Sequence, residues 1–208
     1  MAGLDTIFYI VILIFSVILH EVAHGYVADM AGDPTARLAG RLTLNPVSHI
    51  DLFGSVILPA ILIFTGSGIV VGWAKPVPYN PYNLRNQRWG TLAVAIAGVA
   101  TNFLIALIFG LLIRFAPGLP ISFLAIAKMI VMLNIVLGVF NLLPIPPLDG
   151  SKVLLSLFPR WFYPIEQFAE RNFMVVIMVL IILLPVFFGP VVGAITQVIF
   201  GLFTGVGL

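Results

Sequence analysis

Long apolar runs that are almost free of charge recur along this chain and constrain its fold more than any other feature. They cover residues 6–19, 53–74, 89–113, 115–148 and 172–208. A helix that crosses a bilayer needs about 20 such residues. Only 9% of the residues are charged, whereas a soluble domain carries about a quarter. The sequence therefore excludes a water-soluble globular protein and predicts a multi-pass protein of the cell membrane.

The predicted fold class is an all-α polytopic membrane protein with about five to six apolar helical segments. Prolines and turn formers crowd the stretch between residues 31 and 88, which indicates short surface or re-entrant β elements there. We expect these elements at residues 41–44 and 72–81. Near the C-terminus, Pro185 and Gly189-Pro190 predict a helical hairpin over about residues 172–208.

Composition also limits the chemistry and the partners. The chain has no cysteine, so a metal would have to be held by nitrogen and oxygen ligands. Its formal net charge is +2, and the basic residues are scattered, which argues against a nucleic-acid partner. The N-terminal apolar run lacks the basic start of a secretory signal and is expected to be a retained span.

The sequence His20-Glu21-Val22-Ala23-His24 lies in the first predicted helix. Residues four apart share a helix face, so one ion can reach both imidazoles, while Glu21 is left free to handle a proton. Ionisable residues in a spanning helix cost a few kcal/mol and usually mark a functional site. We therefore predict a metal site that contains His20 and His24.

A catalytic zinc ion takes three protein ligands, so one further ligand is needed. The alternatives are His49 and the carboxylates Asp5, Asp29, Asp33, Asp51, Asp149, Glu166 and Glu170. Asp149 is favoured because it follows an apolar segment and a run of prolines, and because it is expected to cap a short helix at residues 150–158, where the helix dipole favours an ionised carboxylate.

These motifs resemble the site-2 protease family of intramembrane zinc metallopeptidases. The resemblance covers about residues 7–160 and rests on HEVAH at 20–24, GRLTLNP at 40–46, GWAKPVPYNP at 72–81 and NLLPIPPLDG at 141–150. Residues 98–102 also match a G-x-x-x-N pattern of the family. Many members carry a PDZ or CBS domain, and this chain resembles a compact form without one.

The resemblance implies one Zn²⁺ per chain, bound by His20, His24 and Asp149, with Glu21 as the catalytic acid/base and Asn141 near the substrate carbonyl. Zinc-activated water would hydrolyse peptide bonds within or near transmembrane helices, so the partners would be membrane proteins or remnant signal peptides, together with the lipid bilayer. It further implies one membrane-embedded peptidase domain over residues 1–208, with a catalytic core at about 7–160.

Topology follows from the need to bring His20, His24 and Asp149 to one depth. The first and fourth apolar segments must then run in the same direction, so residues 52–71 are predicted to re-enter on the side they left. This arrangement puts most basic residues on one side, which predicts a cytoplasmic location for it. At about 1.5 Å per residue, the site lies nearer that cytoplasmic face.

Two other functions would use the same polar residues: a metal ion transporter, and an inactive scaffold that binds membrane helices. Transport would gain nothing from Glu21, whereas hydrolysis needs such a base. Asn102 and Asn134 are interpreted as hydrogen-bonding links between helices. His49 is expected to cap or turn the chain at the interface, and the alternative is a gating or substrate contact.

Overall fold

The computed structural model describes residues 2–65, 72–116 and 118–206. In chain order the α-helices of these ranges are α1 (Ala2–Met30), α2 (Thr35–Leu38), α3 (Leu58–Phe64), α4 (Gln87–Phe115), α5 (Ile121–Asn141), α6 (Asp149–Leu157), α7 (Pro159–Arg171), α8 (Phe173–Phe187) and α9 (Gly189–Thr204). A π-helical turn, Leu52–Ile57, leads into α3.

Three of the described helices, α1, α4 and α5, are long and apolar enough to cross a membrane. The apolar helices at Leu52–Leu62, Phe173–Leu183 and Gly189–Thr204 are shorter. The predicted membrane protein is therefore supported, but the predicted number of five to six segments is not confirmed as a number of full crossings.

Helix α4 lies at the centre of the fold, because α1, α5, α6 and α9 all contact it. The buried core lies between α4, α5 and α9 and includes Ala106, Val131, Ile135, Val139 and Phe200. Small residues allow this close packing, since a Cβ at Gly110 would lie 2.7 Å from the Cβ of Phe203. This central position of α4 is what brings its side chains to the candidate site on α1.

Helices α8 and α9 contact each other and are separated at Phe188. The predicted break at Gly189-Pro190 therefore falls where α9 begins. The predicted bend at Pro185 does not end α8, because the backbone remains helical through that position.

The described residues contain no β-strand, so the β elements predicted between residues 31 and 88 are not confirmed. Residues 72–80 have neither helical nor strand structure. Their backbone groups bind side chains instead: the Val77 N–H donates to Glu21 at 2.9 Å, and Arg41 donates to the Lys75 carbonyl at 2.9 Å. Pro76 and Pro78 have no N–H to donate to a strand ladder.

The apolar segment that begins at Leu52 returns to its own starting point. The Trp73 N–H donates to the Gly54 carbonyl at 3.2 Å, and the Lys75 N–H donates to the His49 carbonyl at 2.9 Å. The ends of a full crossing would be about 30 Å apart. This closure agrees with the re-entry expected for the segment, of which residues 66–71 lie outside the described ranges.

Candidate active site

His20 and His24 lie on one face of α1, one turn apart, and both are buried. Their Nε2 atoms are 3.0 Å from each other. The helical period of 3.6 residues places side chains at i and i+4 on the same face. Local helix geometry is therefore sufficient to bring the two imidazoles together.

Asp149 joins this pair from the first turn of α6. Its Oδ2 atom lies 3.0 Å from Nε2 of His20 and 3.2 Å from Nε2 of His24, and only 6% of the residue is exposed. The next residue is glycine, and a Cβ there would collide with the carbonyl oxygens of Leu142 and Leu143. Gly150 thus lets the start of α6 pack against the end of α5.

The predicted capping role of Asp149 is wrong. Leu148 occupies the N-cap position and makes no side-chain capping bond, while Asp149 is the first residue of α6. Its carboxylate lies against the two histidines and makes no capping bond. It still lies at the helix N-terminus, where the helix dipole favours a negative charge.

Lys152, one turn further along α6, places a positive charge beside Asp149. The Nζ atom of Lys152 is 4.0 Å from Oδ1 of Asp149 and lies over the ring of Tyr79. Burial would raise the pKa of the Asp149 carboxyl, whereas the positive charge of Lys152 lowers it and favours the ionised form.

Helix α4 contacts the second ring nitrogen, Nδ1, of each imidazole. Nδ1 of His20 lies 2.6 Å from Oδ1 of Asn102, and Nδ1 of His24 lies 2.6 Å from the Val94 carbonyl oxygen. Both oxygens can only accept hydrogen bonds. Each Nδ1 must therefore carry a proton, so that an imidazole in its neutral form presents the lone pair of Nε2 to the other side.

Three lone-pair atoms thus converge on one point: two Nε2 atoms and Oδ2 of Asp149, for which the structure gives no hydrogen-bond donor. Without a cation or a proton between them, such atoms repel. Zn–N and Zn–O bonds of about 2.0–2.2 Å would separate tetrahedral ligand atoms by about 3.3–3.6 Å, close to the separations found. The residues present fit a zinc ion.

Glu21 is half-buried and stands beside this cluster. One of its carboxylate oxygens and one ring nitrogen each of His20 and His24 all lie within 4.8 Å of one another. Its Oε2 atom accepts the Val77 N–H at 2.9 Å. Asp149 contacts both histidines directly, whereas Glu21 lies beside them and binds the Val77 backbone.

Two residues singled out from the sequence make no described contact with this cluster. Asn141 ends α5, and its Nδ2 atom donates to the Leu137 carbonyl at 3.0 Å. His49 is buried in a 3₁₀ turn, and its Nε2 atom lies 2.8 Å from the Thr43 carbonyl oxygen. His49 therefore turns the chain, as expected.

Sequence reasoning missed the contact of Asn102 with His20. Asn102 does link helices as predicted, because its Nδ2 atom donates to Oδ1 of Asn134 at 2.9 Å. Its other amide atom binds a histidine that is 82 positions away. The G-x-x-x-N pattern at residues 98–102 was the available signal.

An open apolar cavity of about 360 Å³ lies along α1. The chain segment 42–44 forms one wall, and α1 forms another through Leu19, Ala23 and Tyr26. Thr101 of α4 also lines it. The cavity therefore adjoins the helix turn that carries Glu21.

Comparison with known proteins identifies the family. The sequence profile described as "Peptidase family M50" matches residues 8–121 and 119–185. No solved structure gives a significant match.

Two curated relatives match most of the chain. "Putative zinc metalloprotease YwhC" of Bacillus subtilis is 38% identical over 73% of this chain and 69% of its own length. "Putative zinc metalloprotease Rip2" of Mycolicibacterium smegmatis is 30% identical over 81% of this chain and 64% of its own length.

A third relative, "Zinc metalloprotease MJ0392" of Methanocaldococcus jannaschii, is 24% identical over 72% of this chain and 34% of its own length. The chain thus spans only part of the longer relatives. It belongs to peptidase family M50, the site-2 protease family of zinc metalloproteases.

Proposed function

We propose that this protein hydrolyses peptide bonds within or near the transmembrane helices of membrane-protein substrates. The observation that carries the proposal is the convergence of lone pairs from His20, His24 and Asp149 beside Glu21. His20, Glu21 and His24 lie on a helix long and apolar enough to span a membrane. Substrates that reach such a site from the bilayer are themselves membrane-embedded, such as single-span proteins or remnant signal peptides.

In this proposal His20, His24 and Asp149 hold the zinc ion. When bound, zinc lowers the pKa of water toward neutrality and polarises a carbonyl group. Glu21 accepts the proton of the attacking water and returns it to the leaving amine. The Val77 N–H holds one oxygen of Glu21, which fixes the direction in which the other oxygen faces.

Asn141 is assigned to the substrate carbonyl. The amide nitrogen has two N–H groups, of which one donates to the Leu137 carbonyl. The second can donate to an oxygen that gains negative charge in the transition state. This role rests on the family resemblance of the segment 141–150.

The apolar cavity along α1 is the proposed path of the substrate. A substrate helix must unwind before attack, because its carbonyl groups are hydrogen-bonded within the helix. The neighbouring segments 41–44 and 72–80 offer backbone groups outside any helix, and an unwound peptide can pair with such groups.

Residues 1–208 are proposed to form one membrane-embedded domain, with the core at about 7–160 and a C-terminal helical hairpin at about 172–208. Contacts of α9 with α4 and α5 support a single domain that includes both parts. Eight of the ten basic residues are assigned to the cytoplasmic side, whereas Arg114 and Lys128 lie toward the other. The eight are Arg37, Arg41, Lys75, Arg85, Arg88, Lys152, Arg160 and Arg171. The site then lies nearer the cytoplasmic side.

The decisive experiment is cleavage of a model single-span substrate by the purified full chain in lipid vesicles. His20→Ala and Asp149→Ala should lose zinc and cleavage together. Glu21→Gln should keep about one zinc per chain and lose activity by about 10²–10⁴-fold, because a general base contributes that much. The exposed Glu170→Gln is the matched control and should behave like wild type.

A Glu21→Gln variant with near-normal turnover would disprove this mechanism. A wild-type chain that moves zinc across the vesicle membrane and cleaves nothing would instead support the transporter hypothesis. A chain that binds the substrate helix without cleaving it would support the scaffold hypothesis.

A further inference from the structure

A line of four buried polar side chains runs through the helix bundle and ends on His20. Oγ of Ser16 accepts from Nδ2 of Asn134 at 3.0 Å, and Oδ1 of Asn134 accepts from Nδ2 of Asn102 at 2.9 Å. Oδ1 of Asn102 then lies 2.6 Å from Nδ1 of His20. Both asparagines are 0% exposed, so water does not satisfy these groups.

The donors and acceptors along this line can be assigned in only one way. Asn134 also donates to the Ile130 carbonyl at 2.9 Å, an oxygen that can only accept, and this bond fixes which way its amide faces. Its Oδ1 therefore turns to Asn102, whose Nδ2 must face Asn134. Oδ1 of Asn102 is left for His20, whose Nδ1 has to be the donor.

We propose that Asn102 is a positioning residue for His20, supported from behind by Asn134 and Ser16. Its bond selects the tautomer in which Nε2 carries the lone pair, and it fixes the rotation of the ring about its side-chain bonds. Metal-binding histidines depend on such a partner at the second ring nitrogen. This inference rests on the proposed zinc site and goes beyond a role in joining helices.

The arrangement at His24 is the internal comparison. Val94, Gly98 and Asn102 are spaced four residues apart and share one face of α4. Val94 holds His24 through its backbone carbonyl, whereas Asn102 holds His20 through its side chain. Only the second contact can be removed by substitution, so Asn102 is the position where ring orientation can be tested.

The test is zinc affinity, measured on the purified full chain by competition with a chromogenic chelator. Asn102→Leu removes the acceptor at similar volume, and it should weaken zinc binding by about 10–100-fold, the usual cost of losing an outer-shell partner. Asn102→Asp keeps an oxygen opposite Nδ1 and should bind zinc much more tightly than the leucine variant. Asn134→Leu, one step further away, should cause a smaller loss.

A second readout separates positioning from structural support. Co²⁺ in place of zinc gives a visible absorption band that depends on ligand geometry, and Asn102→Leu should change that band. Thr196→Val is the matched control, because Thr196 is buried on α9 and its hydroxyl has no described partner. It should leave both the zinc affinity and the cobalt band unchanged.

The possible failures can be told apart. If the wild-type chain binds no zinc, the proposed function fails and the inference fails with it. If the wild type binds one zinc and Asn102→Leu binds it equally well with the same cobalt band, only the inference is overturned. If Asn102→Leu does not fold, an Asn102→Asp variant that binds zinc as weakly as His20→Ala would overturn it.

Discussion

A Cβ atom on Gly98 would lie 2.6 Å from Nε2 of His20, so the imidazole occupies space that exists only because residue 98 is glycine. Nε2 of His24 would be at the same distance. The G-x-x-x-N pattern of α4 therefore has two physical roles. Gly98 makes room for both rings, and Asn102 binds one of them.

Gly98→Ala should weaken zinc binding by about tenfold or more, because overpacking costs about 1–3 kcal/mol and the atoms to be displaced are the ligand atoms themselves. Metal content and chelator competition measure this. Gly193→Ala is the matched control, since no atom lies within 4 Å of its Cβ. Equal zinc affinity for the two alanine variants would show that the histidines can move aside.

The hydrogen bonds of Asp33 link the end of α1 to residues 80–83, and we expect this link to be sensitive to acid. It is fully buried, and its carboxylate accepts the Asn80 N–H at 2.6 Å and the Asn83 side-chain amide at 2.9 Å. Burial would raise the pKa of Asp33, but these bonds and those from Thr35 lower it. The resulting stabilisation is present above the unfolded value of 3.8 and is lost as the pH falls through the lower folded value.

Asp33→Asn should lower the free energy of unfolding by about 1–3 kcal/mol at pH 7, and the difference from wild type should shrink as the pH falls below 3.8. Thermal unfolding across this range measures it. Asp29→Asn, which breaks the exposed ion pair with Arg37, should cost less than about 1 kcal/mol. A difference for Asp33→Asn that stays constant with pH would contradict the prediction.

Topology can be tested directly because the chain has no cysteine. Arg37→Cys and Tyr82→Cys should be labelled from the same side of the membrane, since residues 54 and 73 meet and the segment between them returns. Ser122→Cys should be labelled from the other side, because the 29 residues of α4 span about 43 Å. Opposite labelling of positions 37 and 82 would refute re-entry.

Substrate preference should follow the cost of unwinding. A single-span substrate with two glycines near the cleavage position should be cut roughly tenfold faster than the same helix with leucines there, because each glycine lowers helix stability by about 0.8–1 kcal/mol. Initial cleavage rates at equal substrate density in vesicles give the comparison. Equal rates would mean that local unwinding does not limit access.

Local patterns in the sequence were sufficient to predict the three long apolar helices and the pairing of His20 with His24. Hydropathy predicted α1, α4 and α5, because apolar runs of this length have few alternatives to a spanning helix. The spacing of His20 and His24 fixed their shared face, because the helical period is set by backbone hydrogen bonds close in sequence. The surroundings of Asp149 in the sequence marked it as the favoured third ligand.

Tertiary packing decided the contacts that orient these groups. Asn102 and Val94 reach the histidines across 82 and 70 positions, and the Val77 N–H reaches Glu21 across 56. Two of these contacts use backbone atoms, a carbonyl that every residue supplies and an N–H that every residue except proline supplies, so no residue type signals them. They exist because α4 packs between α1 and α5, and because residues 72–80 reach α1 without forming the predicted strand.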